Sequence, residues 1–243
     1  MYRVLAACFI LISISVVADD SVVDSERNRI IPIQLSFPSG RNSCSITSKC
    51  SVTFLSAGYG VPHTKYQFLG ESFTKLGYLV VAIGHELADD PPLSVSGNLF
   101  ETRSENWQRG SHTLRVVRSE LRDKYPEFDF ENLVLAGHSN GGDISAWLAL
   151  ESPAFVDKLI TLDHRRVPIP RSDSIAVLSV RASDFEADDG VLPTKLEQAL
   201  YESCILKIPN SRHNDISDLG PESLKSNIQH IVHRWLAKAS CQL

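Results

Sequence analysis

The chain has no Cys-x-x-Cys spacing, no internal repeat, no low-complexity tract and no glycine-serine linker. The first absence removes zinc-ribbon and dithiol redox readings. The others leave no seam at which 243 residues would divide, so one domain with one sizeable core is expected. There is no basic stripe either. Lys and Arg number 24 against 29 Asp and Glu, a net charge of −5, and the signs are interspersed, which excludes the electrostatic footprint of nucleic-acid or anionic-membrane binding. The uncharged run from Val4 to Val17 falls short of the roughly 20 residues of a spanning helix.

What is present at that end is Arg3 ahead of the uncharged run and Val16-Val17-Ala18 ahead of Asp19-Asp20. A basic head, an apolar stretch and small residues before an acidic start make a secretory signal peptide. Residues 1–18 are expected to be cleaved after Ala18, with 19–243 forming the single domain of a secreted or periplasmic protein; a retained anchor is the alternative. Leu5-Ala6-Ala7-Cys8 resembles a lipoprotein cleavage box but would leave almost no apolar run ahead of it, so no lipid anchor is expected. Cleavage removes Cys8 and leaves Cys44, Cys50, Cys204 and Cys241, an even number in an oxidising compartment. Of the three pairings, Cys44 with Cys50 closes a small loop and Cys204 with Cys241 ties the tail to a late strand. These two disulfides are expected.

The most informative stretch is Gly137-His138-Ser139-Asn140-Gly141, a G-x-S-x-G nucleophile elbow. Asn132 to Ala136 reads as a short buried strand and Asp143 to Leu150 as a helix, so Ser139 falls on the strand-to-helix turn the motif requires. Along the chain, strands are expected at Ile30–Phe37, Ser51–Ala57, Tyr78–Ile83, Leu133–Ala136, Lys158–Leu162, Ala176–Val180 and Ile205–Ile208. Helices are expected at Tyr66–Leu76, Glu105–Lys124, Gly142–Leu150, Pro193–Tyr201 and Glu222–Ala239. The first two strands read as an antiparallel opening pair. The alternation that follows argues an α/β fold, a doubly wound, mostly parallel sheet with helices on both faces, in which ligands bind at the carboxyl ends of strands. The loop after Leu162 is too short for a lid domain. Leu87 to Arg103, irregular at Pro91-Pro92 and Gly97, is either a small cap or a solvated loop.

A serine nucleophile needs a base, and in this topology the chain order is serine, acid, histidine. His213, in the loop between the last strand and the last helix, can reach over the sheet to Ser139. His230 and His233, one turn apart on the last helix, read as surface packing before a metal pair; His63, His85, His138 and His164 carry no assigned role. Asp184, at the end of the penultimate strand, is the expected acid; Asp188 and Asp189 in the same loop come second and Asp163, terminating the preceding strand, last. The amides of Asn140, after the nucleophile, and Tyr59, in the glycine-rich turn Ser56 to Gly60, are the expected oxyanion donors.

On the stretch Gly137 to Gly142, the turn Ala57 to Gly60, the loop Asp184 to Pro193 and His213, the chain resembles the α/β-hydrolase superfamily over nearly all of its mature length. It looks like a compact, nearly lidless member similar to small bacterial secreted esterases and lipases. The acid loop departs from the family pattern in its length and its aspartates. The resemblance implies hydrolysis of a carboxylic ester through an acyl-enzyme on a Ser139-His213-Asp184 triad, with no cofactor and no metal. Small-molecule esters are then the expected partners of a monomer. The same constellation serves peptidases and thioesterases, and the fold also hosts non-catalytic binding proteins.

Overall fold

The computed structural model describes residues 17–238 and Cys241; the expected signal peptide therefore lies, but for its last two residues, outside the described residues. Among the described residues eight strands form one sheet in the order β1-β2-β4-β3-β5-β6-β7-β8. The strands are β1 Val17–Asp24, β2 Arg29–Ser36, β3 Cys50–Ser56, β4 Leu79–Ile83, β5 Phe128–His138, β6 Val156–Leu162, β7 Ala176–Arg181 and β8 Cys204–Lys207. Helices α1 Gln67–Lys75, α2 Leu99–Lys124, α3 Asn140–Leu150, α4 Lys195–Leu200 and α5 Glu222–Lys238 lie between or after them. From β4 onward across the sheet every pairing is parallel.

Strand alternation explains why helices cover both faces. Side chains two apart on a strand share a face: Val52 and Phe54 of β3, Leu79, Val81 and Ile83 of β4, and Leu133 and Leu135 of β5 join Trp107, Leu114, Val117, Ile144 and Leu148 of α2 and α3 in one core. Their neighbours Leu55, Val80, Ala82, Val134 and Ala136 join Phe68, Leu69, Phe73, Leu224, Ile228, Val232 and Trp235 of α1 and α5 in the other. A strand buried on both sides has no polar face, which is why β4 reads Leu-Val-Val-Ala-Ile with every residue buried.

The antiparallel opening pair is β1 with β2, not β2 with β3. β2 runs antiparallel to β4, while β3 lies parallel between β4 and β5. β1 escapes a hydrophobic reading because it is an edge strand, exposed along most of its length and carrying Asp19, Asp20 and Asp24. Val17 and Ala18, which the expected cleavage would remove, pair with Ser36 and Leu35 at its outer end. Helix α2 starts at Leu99, six residues before the expected Glu105, because the Asn98 side chain accepts from the Phe100 amide and caps it. Cys44 is bonded to Cys50 and Cys204 to Cys241. The first links the loop before β3 to the first residue of that strand; the second links β8 to the segment beyond α5.

Candidate active site

Strands β5 and β6 run side by side, with His138 paired to Leu162. Each strand is followed at once by a residue outside the extended conformation: Ser139 has φ 52° and Asp163 φ 51°. Left-handed backbone in residues that gain nothing from it locally persists only where the surroundings over-determine it, and it concentrates at functional sites. At Ser139 the surroundings are the elbow glycines. A Cβ on Gly137 would stand 2.3 Å from the Gly141 carbonyl oxygen, and one on Gly141 would stand 2.3 Å from the oxygens of Ser56 and Ala57. Only backbone without side chains closes so tightly.

Three groups meet above the strand ends. His213 Nε2 lies 2.9 Å from Ser139 Oγ, and His213 Nδ1 lies 2.6 Å from Asp163 Oδ2. The expected acid, Asp184, is not on the ring: its carboxylate is exposed and accepts from the His213 backbone amide at 2.9 and 3.1 Å. Asp188 accepts from Arg166, and Asp189 is exposed in the same loop. The reason is register. Asp163 follows the residue paired with His138 and so stands beside Ser139, whereas Asp184 lies one strand further out and beyond the end of β7.

The Asp163 carboxylate is wholly buried and fully engaged. Oδ1 accepts from the Ala182 amide at 3.0 Å and pairs with Arg181 Nη2 at 3.1 Å; Oδ2 accepts from His213 Nδ1 at 2.6 Å and from Arg165 Nη2 at 3.3 Å. Burial alone would push its pKa up, but the hydrogen bond from His213 and the Arg181 charge outweigh it and hold the acid below the ordinary aspartate value. It stays an acceptor, so the His213 proton sits on Nδ1 and Nε2 faces the serine hydroxyl.

Asn140 opens helix α3, where the first amides have no intrahelical acceptor. Its side chain is tied elsewhere: Trp107 Nε1 donates to Oδ1 at 2.9 Å, and Nδ2 donates to Asn106 at 2.9 Å. Asn106 in turn donates to Glu86 at 3.1 Å. Tyr59 lies exposed on the opposite wall, its hydroxyl accepting from the Leu93 amide at 3.1 Å. The turn it belongs to is locked to the histidine loop by a relay. His138 Nε2 stands 3.1 Å from the His213 carbonyl, which can only accept, so Nε2 carries the proton. Nδ1 then accepts from the Tyr66 hydroxyl at 2.8 Å, and that oxygen accepts from the Gly58 amide at 3.0 Å. This needs a neutral imidazole, and burial, helped by the neighbouring His213, drives the His138 pKa down to about 3. Neither His138 nor Tyr66 carries a role in the sequence alone; a histidine inside the elbow motif was the signal available.

Ser139, Asn140, His213 and Tyr59 line a cavity of about 260 Å³ closed by Leu93, Val95, Arg103, Asp143, Arg165 and Arg166. The segment Leu87 to Arg103 therefore forms a wall of the site. A second cavity, about 180 Å³ between β2, β4 and α1, holds none of these groups. Among the described residues no cluster of His, Cys, Asp or Glu could hold a metal ion, and His230 and His233 lie exposed on α5.

Solved structures with the same architecture include esterases and related hydrolases. A carboxylesterase from Mesorhizobium loti is 19% identical with a TM-score of 0.60, over 90% of this chain and 99% of that one. The chain has the α/β-hydrolase fold. A ferulic acid esterase from Streptomyces cinnamoneus is 17% identical with a TM-score of 0.63, over 93% and 88% of the two chains. An S-formylglutathione hydrolase from Agrobacterium tumefaciens is 13% identical with a TM-score of 0.60, over 92% and 95%. Protein-family models and curated proteins give no match to the sequence. At these identities the likeness speaks for the α/β-hydrolase fold, and the chemistry rests on the site.

Proposed function

We propose that this chain is a secreted serine hydrolase that cleaves carboxylic esters through an acyl-enzyme. The observation that carries the reading is the continuous line from Ser139 Oγ through both nitrogens of His213 to Asp163, at 2.9 and 2.6 Å. Ser139 is the nucleophile, His213 the base, and Asp163 the carboxylate that orients the imidazole and stabilises the imidazolium. The esterase activities of the structural neighbours support ester substrates, and two disulfides support an oxidising compartment.

In the acylation step His213 Nε2 takes the Ser139 hydroxyl proton as Oγ bonds to the ester carbonyl carbon. The oxygen that becomes negative lies between the amides of Tyr59 and Asn140, donors fixed before the charge develops. His213 returns the proton to the departing alkoxide, and the alcohol leaves. Water then gives a proton to Nε2 and its oxygen to the acyl carbon, Ser139 recovers its proton, and the acid is released. Hydrolysis of a chain-length series of p-nitrophenyl esters by the mature, oxidised protein tests this: Ser139→Ala should lower kcat by about 10⁴-fold or more. Undiminished activity in that variant would remove the assignment.

A further inference from the structure

Three arginines line the cavity with Ser139: Arg103 of α2, and Arg165 and Arg166 from the loop after β6. Arg165 is partly committed, donating to Asp163 at 3.3 Å and standing 4.2 Å over the Phe185 ring. Arg166 donates to Asp188. Arg103 donates Nε to the Ser94 carbonyl at 2.7 Å and has no carboxylate within ion-pair distance among the described residues. The one acid in the cavity wall, Asp143, is buried and spends one oxygen on the amides of Arg165, Arg166 and Val167, at 3.2, 2.8 and 3.0 Å. Its role is to hold the arginine loop over the serine. Nε of Arg165 and Nε of Arg166 are both buried without a protein acceptor, a costly state for a charged donor.

We propose that the cavity selects short esters carrying a second, ionised carboxylate, which Arg103 receives with Arg165 and Arg166 around it. The proposal rests on Ser139 being the nucleophile. A planar guanidinium offers two parallel donors matched to a carboxylate, and like charges gathered in a half-enclosed space favour an anion between them. Burial and the charge of Arg166 already press the Arg103 pKa below its ordinary value, the direction an arriving anion would relieve. The cavity volume admits a small diacid half-ester and not a long acyl chain.

The test compares methyl hydrogen glutarate with dimethyl glutarate, the same chain without the charge. Each hydrolysis consumes one water and yields methanol and a new carboxylic acid, whose proton a pH-stat records. At low ionic strength kcat/KM for the half-ester should exceed that for the diester by about tenfold, and the preference should shrink as salt is raised. Arg103→Met should cut the half-ester's kcat/KM about tenfold more than the diester's, through KM. Equal use of the two esters, or an equal loss on both in Arg103→Met, overturns the proposal. If neither ester is cleaved, the ester reading has failed by itself, and calorimetric binding of methyl hydrogen glutarate to Ser139→Ala decides: binding that Arg103→Met abolishes upholds the anion site, and no binding overturns it.

Discussion

Asp163 and Asp184 both touch His213, one at the ring and one at the backbone amide. The difference assigns them different work. Losing the charge of Asp163 reverses the preferred tautomer, because an amide nitrogen there would donate towards Nδ1; Asp163→Asn should lower kcat by about 10⁴-fold with little change in KM. Asp184→Asn keeps an oxygen for the amide and should stay within about tenfold of the parent. Steady-state kinetics on one p-nitrophenyl ester separates the two, and the reverse ranking would return the acid to Asp184. The meeting of Ser139 with His213 was legible in sequence because G-x-S-x-G and a histidine before the last helix are local signals. Which carboxylate meets the His213 ring was not, since four aspartates end or follow the two candidate strands. Only pairing register, which aligns Leu162 with His138, says which carboxylate stands beside the nucleophile. The arginines were invisible for the same reason: Arg103 and Arg165 are 62 positions apart by number and meet only once α2 and the β6 loop are placed.

At the scale of elements, the start of α3 and the loop after β6 are fastened through Asp143. Burial pushes its pKa up to about 6, against which the amides of Val167, Arg166 and Arg165 act in the other direction. A carboxyl whose folded pKa lies above its unfolded one favours folding most below the unfolded value, about 3.8, and that contribution is lost as pH rises through about 6. Asp143→Asn keeps a carbonyl oxygen for the amides and does not ionise. Its melting temperature relative to the parent should therefore rise between pH 4 and pH 7, by on the order of 5 °C. A difference flat across that window, read by thermal unfolding at fixed ionic strength, would place Asp143 outside this linkage. Element existence was readable from the apolar runs Leu79–Ile83 of β4 and Leu133–Ala136 of β5, which leave no polar side and are buried throughout. Edges were harder. β1 carries acidic residues on an exposed edge and offers no such run, and the start of α2 depends on one asparagine cap.

For the whole molecule, one disulfide closes the loop before β3 and the other fastens the segment beyond α5 to the sheet. The Cys204–Cys241 link closes a separation of 37 residues, and opening it with Cys204→Ala and Cys241→Ala should cost about 3 to 4 kcal/mol in denaturant unfolding; a cost near zero would mean that packing of α5 alone holds the tail. The parallel order from β4 to β8, with helices in every crossover but the one from β6 to β7, is what brings Ser139, Asp163 and His213 from three separate loops to one end of the sheet. The central claim is that this end is a working serine hydrolase site. Its most direct test is to treat the mature, oxidised protein with a fluorophosphonate and locate the adduct by peptide mass spectrometry. A single adduct on Ser139 that disappears in His213→Ala is expected; no adduct, or one on another serine, would rule out a serine hydrolase site here.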